Sequence, residues 1–169
     1  MEKLRQFYAG LSKKSYLTLA ISLLVATDVM VLGFIYFKFS NHEFFEKAMQ
    51  MSLQLNGLSV DSMGEEFITA LYSLFQRSLV ISIGLAFIYH LINYYFWIKE
   101  KKFALMYVKL LCGAGGPIIA FWGLSLLFSG SFIGVVLLFL GVADFTLSFG
   151  LNKFVEVPVK SPTNFDEKI

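Results

Sequence analysis

The sequence predicts an all-α integral membrane protein: a four-transmembrane-helix antiparallel bundle with a short amphipathic helix in the outer loop between the first and second spans. Three observations lead there. Of 169 residues, 57% are hydrophobic and 17% aromatic, only 15% are charged, and the mean hydropathy is +0.68, whereas a soluble domain is about a quarter charged. The charges are confined to short segments. Between them lie four apolar stretches, each long enough for a hydrocarbon core of about 30 Å, which takes about 20 helical residues.

The first span runs from about Tyr16 to Phe37 and follows Lys3, Arg5, Lys13 and Lys14. A signal peptide has the same order of basic and apolar residues, but its apolar core is only about 7 to 15 residues long and ends in a small-residue cleavage pattern that is missing here. The second span, from about Phe67 to Ile98, has 32 residues. As one helix it would reach roughly 48 Å, so its ends must protrude or it must tilt. It ends in an aromatic belt and a lysine cluster, "NYYFWIKEKK" (Asn93 to Lys102), as chains do at a membrane surface. The third span covers about Phe103 to Phe128 and the fourth about Phe132 to Phe154, joined by the uncharged turn "SGS" (Ser129 to Ser131). All four belong to one domain, residues 1–157. The tail, residues 158–169, has two prolines and little apolar content, so it is expected to be flexible or to await a partner.

Lys and Arg set the orientation. Lys99, Lys101, Lys102, Lys153, Lys160 and Lys168 fall on the side of the basic N-terminus, while the other side has Lys38 and Lys47 against Glu43, Glu46, Asp61, Glu65 and Glu66. Both termini are therefore expected in the cytoplasm, with the chain in the plasma or inner membrane. The net charge of +2 reflects this anchoring. Blocks of interleaved basic and aromatic residues are absent, which argues against nucleic-acid binding. The expected partners are the lipid bilayer and either further copies of the chain or other membrane subunits, because four helices barely enclose a solute pathway alone.

Between the first two spans, "HEFFEKAMQMSLQL" (His42 to Leu55) gathers Phe44, Phe45, Ala48, Met49 and Leu55 near one helical face. It reads as a helix on the outer membrane surface or as a lid on the bundle. "NGLSVDSMG" (Asn56 to Gly64) reads as a loop. In the third span, Lys109, Gly113, Gly116, Ala120 and Gly123 share a stripe about 80° wide at 100° per residue. Gly134, Gly141, Asp144 and Ser148 make a similar stripe in the fourth. These small residues are expected to pack the third and fourth helices together, and Pro117, in "GAGGP", is expected to kink the third.

Five ionisable residues lie within the spans: Asp28, Arg77, His90, Lys109 and Asp144. Counted from the outer boundary, Asp28, Arg77 and Asp144 all fall roughly 15 to 18 Å deep. A charge at that depth costs at least about 2.5 to 3.5 kcal/mol, so these groups are expected to face inward and pair, with Arg77 bridging the two aspartates. The layer would then hold one acid more than it has bases. His90, Asn93 and Lys109 would extend it toward the cytoplasm, as a relay or as locally hydrogen-bonded groups.

Little else in the chain suggests chemistry. Cys112 is the only cysteine, and of the two histidines His42 lies in a loop, so neither a disulfide, a metal site nor a cofactor is expected. HExxH, GxSxG and P-loop patterns are absent. "GVADF", around Asp144, resembles intramembrane aspartyl proteases only on the scale of a tripeptide; the accompanying Asn-x-x-Asp-Arg pattern is missing and the second acid stands on the first span. The expected function is therefore non-enzymatic: movement of protons, ions or a small solute through the charged cluster, or alternatively an accessory subunit with a purely structural ion pair.

Overall fold

A computed structural model describes residues 2–56 and 64–154, and every element in it is helical. In chain order these are α1 (Glu2–Gly10), α2 (Lys13–Phe39), α3 (His42–Leu55), α4 (Glu65–Ile98), α5 (Lys102–Leu110), a π-helical turn (Leu111–Gly115), α6 (Gly116–Phe128), α7 (Ile133–Leu147) and a 3-10 segment (Ser148–Phe154). Four stretches are long and apolar enough to cross a membrane: Lys13–Phe39, Glu65–Ile98, Lys102–Phe128 and Ile133–Leu151. The expected tail, residues 158–169, and most of the expected 56–64 loop lie outside the described residues.

Local chemistry sets the helix boundaries. Ser12 caps α2 by accepting from the Ser15 N–H at 3.1 Å, and Asn41 caps α3 by accepting from the Glu43 and Phe44 N–H groups, each satisfying donors that the first turn leaves free. Between α4 and α5, Glu100 takes a left-handed conformation (φ 58°), and its carboxylate meets the Lys13 ammonium at 2.6 Å. Between α6 and α7, Gly130 (φ 78°) supplies the left-handed residue of the turn.

The extra length of α4 is used at the C-terminal end of α2. Ser40 caps the C-terminus of α2, and its carbonyl accepts from the Tyr72 hydroxyl at 2.6 Å and the Gln76 amide at 3.2 Å. The seven residues from Glu65 to Leu71 therefore extend about 10 Å beyond α2, and Tyr72 to Phe75 flank its end. There α3 covers them: Phe45 packs on the rings of Tyr72 and Phe75, each at 5.3 Å, and His42 stands edge-on to Tyr72 at 4.5 Å.

The α6–α7 hairpin is held by reciprocal glycines. A Cβ on Gly116 would lie 2.8 Å from the Gly141 carbonyl, and one on Gly141 would lie 2.6 Å from the Gly116 carbonyl; Gly123 and Gly134 repeat the relation at 2.8 and 2.6 Å. Each helix thus offers two glycines seven residues apart, and backbone meets backbone at both levels. Gly113 and Lys109 do not join this stripe: both are exposed, and nothing lies within 4 Å of a Cβ built on Gly113. The cause is the π turn. The Gly116 N–H bonds the Leu111 carbonyl, five residues back, and one extra residue in the turn shifts the phase of everything before it by about 100°. Pro117 follows directly, so the irregularity expected at the proline is a π turn ahead of it.

Most of the core lies at the end of the molecule that carries the N-terminus. Tyr8, Tyr16, Trp97 and Phe154 pack ring on ring there, with Ala104, Val108, Leu147 and Leu151 buried around them. Helix α1, which falls within the basic flank in the sequence reading, is tied down by a 2.9 Å hydrogen bond between Tyr8 and Thr146 and by Arg5 over the Phe149 ring. Tyr16 is fully buried and donates to the Leu147 carbonyl at 2.6 Å. Leu147 ends α7 where the chain tightens into the 3-10 segment, and the Tyr16 hydroxyl fixes that junction. Tyr16→Phe is expected to lower stability by about 1 kcal/mol, the net contribution of an intramolecular hydrogen bond. A wild-type melting temperature for this variant in detergent would show that water takes over the bond.

Candidate functional site

Four elements converge near the middle of α2. Asp28 (6% exposed) and Asp144 (2% exposed) are the only buried ionised-type side chains among the described residues. On α2, Asp28 faces α4, where His90 and Tyr94 are four residues apart and so project from one side. His90 Nδ1 lies 2.8 Å from one Asp28 oxygen, and the Tyr94 hydroxyl donates to the other at 2.7 Å. Tyr94 and His90 Nδ1 are 3.4 Å apart. Rings of Tyr89 and Tyr107 stand edge-on around the imidazole at 6.3 and 5.8 Å. The imidazole nevertheless keeps 23% of its side chain exposed.

Asp144 reaches the same region from α7. Its neighbours are Thr27, whose hydroxyl donates to the Leu23 carbonyl at 3.1 Å, and the Asp28 carboxylate. Asp144 Oδ1 is buried without a hydrogen-bond partner among the described residues. The Cys112 thiol, free and fully buried on the π turn, is within electrostatic reach of Asp144. The site thus holds two interacting carboxyl groups and one imidazole, with a hydroxyl beside each acid.

This differs from the arrangement expected from the sequence. Arg77 is exposed and makes no ion pair with either aspartate. It follows Gln76, which is level with Ser40, and Ser40 lies twelve residues beyond Asp28 on α2, about 18 Å along the axis. Arg77 is not level with the aspartates because the first two turns of α4, Glu65–Leu71, stand beyond the end of α2. The base beside Asp28 is His90 instead. Of the expected inner path, Asn93 is buried but spends its amide on the Tyr89 carbonyl at 2.9 Å, and Lys109 is exposed on α5. The sequence reading passed over Tyr94, Thr27 and Tyr107. Two of these had a local signal: Tyr94 is one helical turn from His90, and Thr27 precedes Asp28.

No group of three or more His, Cys, Asp or Glu side chains able to hold a metal ion occurs among the described residues. Compared with protein-family models, curated proteins and solved structures, the chain matches none.

Proposed function

We propose that the chain is a membrane protein whose four apolar helices cross as an antiparallel bundle with both termini cytoplasmic, and that it moves protons through the Asp28–His90–Asp144 cluster. One observation carries this reading: two buried carboxyl groups interact, and one of them, Asp28, is paired with an imidazole. With both acids ionised and the imidazole protonated, the cluster has a charge of −1, and one added proton neutralises it. Ionisable groups inside membrane helices are costly and mark proton and ion paths.

The residues suit a relay. A proton taken up at the unpartnered Oδ1 of Asp144 can pass to the neighbouring Asp28 carboxylate. The proton on the other ring nitrogen of the imidazolium leaves at its partly exposed edge, and once the ring turns that bare nitrogen inward it takes the proton from Asp28. A relay of this kind needs no open pore, so it works within a single copy of four helices. Arg77 and Lys109, exposed on the outside, have no part in it.

A structural tie is the second reading, and the full pairing of Asp28 by His90 and Tyr94 favours it. Proteoliposomes carrying an imposed pH gradient decide between the two. Wild-type protein is expected to collapse the gradient faster than protein-free vesicles, whereas no added proton flux at any gradient would remove the relay and leave the tie.

A further inference from the structure

Outside the polar cluster, an apolar cavity borders the C-terminal end of α2 and the N-terminal part of α4. It has a volume of about 630 Å³ and lies under α3, walled by Phe39, Phe45, Met49, Leu53, Leu71 and Phe75, with Ser52 and Ser78 as its only polar residues. That volume is within the range of small-molecule sites, about 300 to 1,000 Å³. It is open rather than collapsed because α3 touches α4 through a few large rings and has no fully buried residue.

The charges around it are unequal. On α3 the acids are satisfied locally: Glu43 by Lys47 at 2.6 Å and Glu46 by His42 at 3.4 Å. The Lys47 ammonium also holds the Glu43 carboxyl below the usual carboxylate range. Glu65 and Glu66 are eleven or more residues from Arg77 along α4, about 16 Å. Next in sequence to lining residues, two cations have no acid partner among the described residues. Arg77 is next to Ser78 and about 60° around the helix from Leu74, both of which line the cavity. Lys38 is next to the lining residue Phe39, with its ammonium over the Phe34 ring at 5.7 Å.

We infer that this cavity binds one acyl chain of an anionic lipid, with the lipid's phosphate held at the rim by Arg77 and Lys38. An apolar cavity beside unpaired cations matches an amphiphile with a negative head. A guanidinium can hold phosphate oxygens with two parallel hydrogen bonds, while the lysine adds a point charge. The inference rests on the membrane placement proposed above but not on the proton relay. It also gives the exposed Arg77 a partner at the level where α2 ends.

The test is native mass spectrometry of the full chain purified in detergent, titrated with phosphatidylglycerol, with phosphatidylcholine of the same chains, or with inorganic phosphate. Wild type is expected to retain one phosphatidylglycerol in preference to phosphatidylcholine by about fivefold for each basic residue. Arg77→Gln should lose most of that preference while still binding both lipids, and Arg77→Lys should keep part of it. Met49→Trp, which fills the cavity, should weaken both lipids. Equal retention of the two lipids by wild type overturns the inference, as does an unchanged preference in Arg77→Gln. Phosphate that displaces phosphatidylglycerol, together with no effect of Met49→Trp, overturns the acyl-chain site. Protein released from membranes by alkaline washing without detergent would instead remove the membrane placement itself. Protein that stays in the membrane without a preferred lipid removes only the lipid site.

Discussion

Gly141→Leu is expected to separate α6 from α7 and to cost about 3 kcal/mol or more, a drop in melting temperature of roughly 6 to 12 °C. A Cβ on Gly141 would run into the backbone of Ala120 and lie 2.6 Å from the Gly116 carbonyl. Neither atom belongs to a flexible side chain, so the helices themselves must move apart. At the second level, Gly123 and Gly134 would be pulled out of contact as well, because the hairpin is one rigid unit with its turn at Gly130. Separation also disturbs the polar cluster, since Asp144 is only three residues from Gly141. Gly84→Ala is the control. Nothing lies within 4 Å of a Cβ built there, and alanine suits a helix interior better than glycine by about 0.5 to 1 kcal/mol. Thermal unfolding in detergent followed by size-exclusion chromatography reads both variants. Equal melting temperatures for Gly141→Leu and Gly84→Ala would mean that the hairpin opens without cost.

The parts of this fold that depend on composition and local period were legible in the chain; the parts that depend on registration between helices were not. Hydropathy and length locate four apolar helices, because each needs only its own residues to qualify. The glycines of α6 and α7 were legible for the same reason: Gly116, Gly123, Gly134 and Gly141 recur at helical spacing and meet across one turn. Lys109 and Gly113 failed because an ideal period of 100° per residue was carried through a π turn that no local residue type demands. Arg77 failed for a different reason. Its depth was counted from Glu66 as if a membrane surface began there, whereas the Ser40 carbonyl meets Tyr72 and Gln76, eight to twelve residues inside the helix. Only the pairing of α2 with α4 contains that offset. Once the offset is applied, His90 rather than Arg77 falls opposite Asp28, and the Tyr94 and Thr27 hydroxyls follow as neighbours in sequence.

The two aspartates should respond to substitution in opposite ways. Asp144→Asn is expected to abolish proton flux at little cost in stability. The amide is nearly isosteric and no cation loses a partner; one oxygen of the native carboxyl is already unsatisfied. What disappears is the ability to take up and release a proton. Asp28→Leu is expected to be destabilising, by about 2 to 3 kcal/mol, because the His90 imidazole and the Tyr94 hydroxyl both lose their acceptor at 2.8 and 2.7 Å. That is below the roughly 3 to 5 kcal/mol for breaking a fully buried pair, since His90 keeps some exposure. Adding His90→Leu and Tyr94→Phe should recover most of the loss, as removing all partners leaves no polar group stranded. Flux in the triple variant should stay at the level of protein-free vesicles despite its recovered stability. A relay and a tie separate at this point: a tie makes Asp144→Asn silent in every assay, and a relay makes it silent in melting alone. Wild-type flux through Asp144→Asn would therefore eliminate Asp144 as a proton carrier and leave its burial without a transport role.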